Sequence, residues 1–159
     1  MPKSGVVVFK IGGEILRLET LLSDVINEIA ALKIRSPNTR LVLVHGAGPQ
    51  LDQRLAEAQI LFKKIGGKRV TSEAAMQVIW NLIREESNAL AQKLVNRGVK
   101  AEVPEYPVSV LTQIKDKRLG FVGSPIGVNL GELNRLFRKQ AMPIVSICGR
   151  TKKRPDCKC

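Results

Sequence analysis

Short unbroken apolar runs alternate along this chain with stretches in which apolar residues recur every three or four positions. Each rhythm predicts an element. Residues 5–11 read as a buried strand. From Leu16 to about Leu32, the positions Leu18, Leu21, Leu22, Val25, Ile26, Ile29 and Ala30 follow a helical period, which Ser36-Pro37-Asn38 ends. Residues 40–45 form a second buried strand, and its continuous Val/Leu run points to parallel neighbours. A helix from about Pro49 to Ala58 carries proline in its first turn. Residues 60–70 read as two short strands around Gly66-Gly67. Thr71 or Ser72 can cap a long helix over 73–97, and Gly98 stops it. Its stripe of Met76, Ile79, Trp80 and Ile83, continued by Ala89, Leu90, Leu94 and Val95, suits a core face or a subunit interface. A short strand at 99–103 follows. Residues 105–128 read as irregular, with a β-hairpin around Lys115-Asp116-Lys117-Arg118. A helix from Leu130 to Gln140 and a strand at 143–147 complete the pattern. The alternation predicts an α/β fold: a three-layer α/β/α sandwich on a mainly parallel sheet built from strands near 5–11, 40–45, 99–103 and 143–147.

Composition narrows the class. The 159 residues, 44% apolar and 25% charged, suit one domain with a real core. No apolar run is long enough to cross a bilayer, and no signal-like or transit-like leader precedes the first strand. The expectation is a cytoplasmic protein without membrane contact. A net charge of +12 raises nucleic acid as a partner. The basic residues are spread along the chain, and no recognised RNA-binding or zinc signature is present. Weak polyanion attraction follows from the charge, and no specific nucleic-acid partner is expected. The three cysteines, Cys148, Cys157 and Cys159, crowd the C-terminal end, which fits a reducing compartment better than a disulfide scaffold. Cys157-Lys158-Cys159 lacks a histidine nearby and reads as a tail, so no metal site is expected.

Two strand-to-helix turns carry the candidate chemistry. The first is Lys10-Ile11-Gly12-Gly13 and the second His45-Gly46-Ala47-Gly48. In open α/β sheets ligands bind at this edge, and glycine lets bare N–H groups approach an anion. Lys10 adds a cation that suits a phosphoryl group, although a strand-end lysine also reaches water by itself. His45 fits a hydrogen-bonded structural role better than a catalytic one. Arg69, at the end of the 60–70 hairpin, is either a carboxylate clamp or a solvated surface residue.

Taken together these segments resemble the amino-acid kinase family, and within it the acetylglutamate kinases. The matching runs are Val8-Phe9-Lys10-Ile11-Gly12-Gly13, Leu43 to Leu51, Lys68-Arg69-Val70-Thr71-Ser72, Leu119-Gly120-Phe121-Val122-Gly123, Val128-Asn129 and Met142-Pro143-Ile144-Val145-Ser146. The Gly-Ala-Gly form of the second turn is similar to fungal and bifunctional synthase-kinase members. The resemblance implies the N-terminal half of that fold over 1–147, an unrelated basic tail over 148–159, and truncation before the ATP-binding lobe. It implies ATP-dependent phosphorylation of the side-chain carboxylate of N-acetyl-L-glutamate, in arginine biosynthesis, with Mg²⁺ accompanying ATP. Lys10 would contact the transferred phosphoryl group, Gly12 and Gly13 the ATP phosphates, and Gly46, Ala47 and Gly48 the acetylglutamate site. Arg69 would hold the α-carboxylate under a hairpin lid. Homodimers would form through the 73–97 helix. Ala47 replaces a usual glycine, tolerable at negative φ, and Lys68 a usual leucine. A chain without the ATP lobe is expected to have little activity alone. The other readings are a non-catalytic acetylglutamate-binding or regulatory half-domain and a basic nucleic-acid-binding module.

Overall fold

The computed structural model describes residues 5–104 and 110–151. Strand and helix alternate from the start: β1 (Val6–Ile11), α1 (Gly13–Arg17), α2 (Glu19–Arg35), β2 (Arg40–His45) and α3 (Gly48–Glu57). A small hairpin follows, β3 (Lys64–Ile65) and β4 (Lys68–Arg69), then the long α4 (Glu73–Val95) and β5 (Ala101–Glu102). Strands β6 (Val110–Gln113) and β7 (Ser124–Val128) flank a 3-10 turn at Lys117–Leu119, and α5 (Leu130–Arg138), β8 (Met142–Val145) and β9 (Arg150–Thr151) end the described chain. The main sheet has the order β1-β2-β8-β5, with every pair parallel. Its four strands fall where the apolar runs predict them. A second sheet, β7-β6-β9, holds the expected hairpin as an antiparallel β6–β7 pair. Residues 105–109 of that irregular stretch lie outside the described residues.

The two sheet faces differ. On one, Ile11, Leu41, Leu43, Met142 and Ile144 pack against Leu22, Ile26 and Ile29 of α2 and Leu90 and Leu94 of α4. Burying each such side chain contributes about 1.5–3 kcal/mol. A second cluster joins Leu51 and Leu55 of α3 to Ala75, Ile79, Leu82 and Ile83 of α4. The α4 stripe is thus largely internal, with Met76 and Trp80 only partly buried. The other face meets α5, where Leu136 is fully buried and the Arg40 guanidinium lies 5.5 Å from the Phe137 ring centroid. No described helix covers β1 there. Val6 and Val8 remain 51% and 60% exposed, which corrects the buried strand expected over 5–11. The reason is topological: among the described strands β1 pairs only with β2, at the sheet edge.

Helix boundaries follow caps more than periodicity. The helix expected over 16–32 is two helices, extended at both ends. Leu18 has non-helical backbone (φ −100°, ψ 85°) and serves both: its N–H donates to Ile15 O, and its carbonyl accepts from Leu22. The apolar period runs straight across this break. Ser72 caps α4 by accepting from the Ala75 N–H at 3.2 Å. Gly98, at φ +79°, turns the chain after it. Thr71, the other candidate cap, instead bonds the β6–β7 turn: its N–H donates to Leu119 O and its carbonyl accepts from Phe121. A Cβ on Gly120 would stand 2.1 Å from Thr71 O, so this crossing demands glycine. The described fold continues four residues past the boundary expected at 147. Cys148 is buried in the second cluster, Arg150–Thr151 pairs with β6, and residues 152–159 lie outside the described residues.

β2 ends in the fully buried His45. Ser87 of α4 donates its hydroxyl proton to Ile83 O at 2.8 Å and therefore accepts from His45 Nε2 at 2.7 Å. This places a ring proton on Nε2, while Nδ1 lies 3.3 Å from the Gly46 carbonyl, in keeping with the structural reading of this histidine. Burial pushes the His45 pKa down, partly offset by the Gly46 carbonyl. The unfolded chain therefore takes up a proton below about pH 6.5 that the fold resists, and stability falls as pH drops from there toward the folded pKa. Because His45 is the one histidine in the chain, the slope belongs to it. Glu86, raised by burial and by Glu85, acts in the opposite sense and is common to the wild type and the variant compared below. Urea midpoints of the wild type should fall between about pH 7 and pH 5.5, and His45→Gln should flatten that fall. An unchanged slope in the variant would exclude this origin.

Candidate functional site

The functional edge begins with two turns in contact. Ile11 and His45 end their strands in register. Gly46 N–H then donates to Ile11 O at 2.9 Å, and Gln50 Nε2 of α3 donates to Gly13 O at 2.9 Å. A Cβ on Gly13 would lie 2.8 Å from Pro49 Cδ and 2.9 Å from Gly48 N, so glycine there is what lets the turns touch. Gly12 and Gly48 face open space instead. Ala47 has φ −157°, negative as its methyl requires, and that methyl packs in the second core cluster. Only the Ala47 backbone is left for a ligand.

The β3–β4 hairpin stands beside these turns and closes a cleft of about 640 Å³. Gly48 and Asp52 of α3 form one wall, Lys64 and Arg69 of the hairpin the other, with Glu14 and Arg17 of α1 at the rim. Arg69 is mostly buried, its guanidinium 4.9 Å from the Phe62 ring centroid. Its Nη2 donates to Asp52 Oδ1, and Lys64 Nζ donates to Asp52 Oδ2 at 2.9 Å. Burial pushes the Asp52 carboxyl up, but hydrogen bonds and charge from Arg69 and Lys64 outweigh it and hold the pKa below its usual value. Two buried polar atoms here have no partner among the described residues: the donor Arg69 Nε and the acceptor Gln50 Oε1.

Of the residues singled out from sequence, Gly48 and Arg69 line this cleft, Gly13, Gly46 and Ala47 build the junction behind it, and Gly12 faces open space. Lys10 does not line it. It is exposed on β1 beside Val44, on the face that lacks a helix, and its side chain has no ion pair or hydrogen bond among the described residues. Asp52, Lys64, Glu14, Arg17 and Gln50 were not anticipated. Asp52 was within reach, because it lies four residues, one helical turn, after Gly48. Lys64 was too, because a turn at Gly66-Gly67 sets it opposite Arg69. A second cavity of about 300 Å³, between α4 and the ends of β5 and β8, has Arg84 as its one cation and lacks glycine turns. Among the described residues no three His, Cys, Asp or Glu side chains gather as a metal site, and no helix is long and apolar enough to cross a membrane.

A parallel sheet with paired glycine turns and a basic hairpin beside its carboxyl edge defines an α/β domain. The amino acid kinase family model matches residues 5–154, and the chain belongs to that family. It is similar to acetylglutamate kinase from Ruegeria sp. (strain TM1040), with 29% identity over 91% of this chain and 51% of the relative. For acetylglutamate kinase from Petrotoga mobilis the values are 28%, 90% and 49%. The chain thus spans about half the length of these curated relatives. Among solved structures, N-acetylglutamate synthase from Neisseria gonorrhoeae, complexed with coenzyme A and N-acetyl-glutamate, superposes with TM-score 0.75 at 19% identity. That match covers 93% of this chain and 34% of the other. The smu.665 protein of Streptococcus mutans gives TM-score 0.74 at 24% identity, covering 92% and 60%. Both confirm the fold.

The two glycines of the first turn should respond differently to a methyl group. Gly13→Ala drives a Cβ into Pro49 and the Gly48 backbone and should cost about 1–3 kcal/mol. Gly12→Ala, at φ −72° in open space, should stay within about 0.5 kcal/mol of wild type. Urea denaturation of both variants checks the contrast; equal losses would contradict the packing role assigned to Gly13.

Proposed function

We propose that this chain is the acetylglutamate-binding lobe of an acetylglutamate kinase. The observation that carries the reading is Arg69, held on the lid across one cleft from the Gly48 turn. Arg69 grips the α-carboxylate of N-acetyl-L-glutamate, and a guanidinium makes two parallel charge-assisted bonds to such a group. The side-chain carboxylate then lies toward the glycine turns, where backbone donors offset charge on the reacting oxygens. Relatives that match over nine-tenths of the chain are acetylglutamate kinases, which supports the same ligand.

The family also implies ATP with Mg²⁺. Lys10 and the open backbone beside Gly12 suit phosphate oxygens, and the chemistry ATP supplies is the phosphoryl group for the carboxylate. The described residues offer no cluster of three His, Cys, Asp or Glu side chains for a divalent cation. The chain's own part is to bind, orient and neutralise. A second reading, an acetylglutamate-binding half without catalysis, draws on Lys10 lying outside the cleft that Arg69 lines. A cytoplasmic setting belongs to the same proposal.

Calorimetric titration tests the division of roles. Arg69→Ala should weaken acetylglutamate binding by about 1.5–3 kcal/mol. Lys10→Ala should leave acetylglutamate nearly unchanged and weaken phosphate-bearing ligands. Equal, negligible effects on both ligand types would refute the site. An ATP-dependent acylphosphate assay on the chain separates the catalytic reading from the binding-only one.

A homodimer through the 73–97 helix is the remaining proposal. The surface α4 leaves for it is narrow: Met76 and Trp80 are partly buried, and Val95 is its exposed large apolar side chain. Sedimentation should show self-association that Trp80→Ala weakens; a monomer at high concentration would contradict it.

A further inference from the structure

We propose that Asp52 is a built-in competitor for the Arg69 guanidinium, occupying half of the carboxylate-binding fork that an acidic ligand must take. The inference rests on the reading of Arg69 as the carboxylate clamp and adds the residue that sets its threshold.

The geometry is that of an incomplete clamp. A guanidinium binds a carboxylate side-on through Nε and Nη2, two parallel donors. Here Nη2 donates to Asp52 Oδ1, while Nε is buried and has no partner among the described residues. Asp52 therefore engages the fork by one tooth. Its other oxygen is held by Lys64 at 2.9 Å, so the carboxylate bridges two cations and chelates neither. A buried donor without a partner is costly, of order 1–3 kcal/mol. A ligand carboxylate that fills both Nε and Nη2 relieves this cost and replaces a one-bond contact by two bonds.

Exchange of partners is favoured by the surroundings. Asp52 is about one-third exposed and keeps Lys64 when it leaves Arg69, so its charge is neither stranded nor buried alone. Arg69 does not have to move: the Phe62 ring beneath it and the short hairpin hold the guanidinium in position. Lys64 thus acts as the resting place for the displaced carboxylate. The two cations have opposite effects on the competitor, since Lys64 draws Asp52 away from the fork and Arg69 retains it.

The arrangement discriminates among anions. A ligand presenting a planar carboxylate takes both teeth and wins the exchange. A group able to make only one bond gains nothing over Asp52. The cleft is thereby kept closed to small monodentate anions that a net charge of +12 would otherwise attract.

The test is an NMR titration of the full chain, following the Arg69 Nε–H resonance, with N-acetyl-L-glutamate and separately with acetate. The proteins are wild type, Asp52→Asn, Asp52→Ser and Lys64→Met. Both Asp52 variants should tighten carboxylate binding, by about tenfold for the loss of one charge-assisted competitor. Lys64→Met should weaken it several-fold, because Asp52 then has only Arg69 to hold. Opposite signs from two residues of one ion-pair cluster are not produced by loss of structure, which moves both the same way. Tightening of acetate without tightening of acetylglutamate supports the competitor and refutes the acetylglutamate reading. If wild type binds acetylglutamate and the Asp52 variants tighten neither it nor acetate, the proposal is overturned and the reading stands. Tightening of neither ligand also overturns the proposal.

Discussion

Backbone contact between the β1–α1 and β2–α3 turns is the constraint on which the functional edge depends. Gly46 N–H meets Ile11 O, Gln50 reaches back to Gly13 O, and Pro49 sits where a Gly13 side chain would be. With the turns fused in this way, α3 starts at a fixed point, and Asp52 one turn later has a fixed position under the hairpin. Glycine has two separate tasks within eight residues' worth of turn. Gly13 serves the packing of the protein on itself, whereas Gly12 and Gly48 leave space for something else. A motif read only as an anion cradle merges these tasks.

The charges of the cleft are arranged around a shortage of carboxylates. Lys64 and Arg69 share Asp52, and both lie over Phe62, whose ring face favours cations. The cleft can therefore take one more carboxylate without stranding any charge. Arg69, stacked and mostly buried, is positioned before a ligand arrives, which lowers the ordering cost of binding. His45, a few ångströms of chain away, contributes through shape. Its ring ties the end of β2 to α4, and so joins the site's floor to the longest helix.

The sequence carried the fold well because its signals are local. Continuous apolar runs at 5–11, 40–45 and 143–147 were strands, and each strand-to-helix turn fell where glycine allowed it. Legibility failed where the deciding contact was distant or where pattern and burial part company. The break at Leu18 lies inside an uninterrupted helical period and comes from its own backbone bonds. β1 has the composition of an interior strand yet stands at an edge, which only strand order reveals. Arg69 and Gly48, singled out by motif, both line the cleft. Their partner Asp52 was overlooked because an acidic residue on a helix face most often belongs to solvent. Lys10 is close to Gly12 in sequence, yet strand alternation sets it on the sheet face away from the cleft that Arg69 lines.

The bare face of β1 has a colloidal consequence. Three successive valines, 40–60% exposed, lie along a strand whose outer backbone edge has no described neighbour. Such an edge is a template on which extended segments of other chains can register. Copies of this chain repel one another through a charge of +12, and that repulsion acts over about 8 Å at physiological ionic strength. The basic surplus thus works as a dispersant for an adhesive strand. Its reach shortens as salt rises, so contact between copies along this edge should grow with the counterions around it.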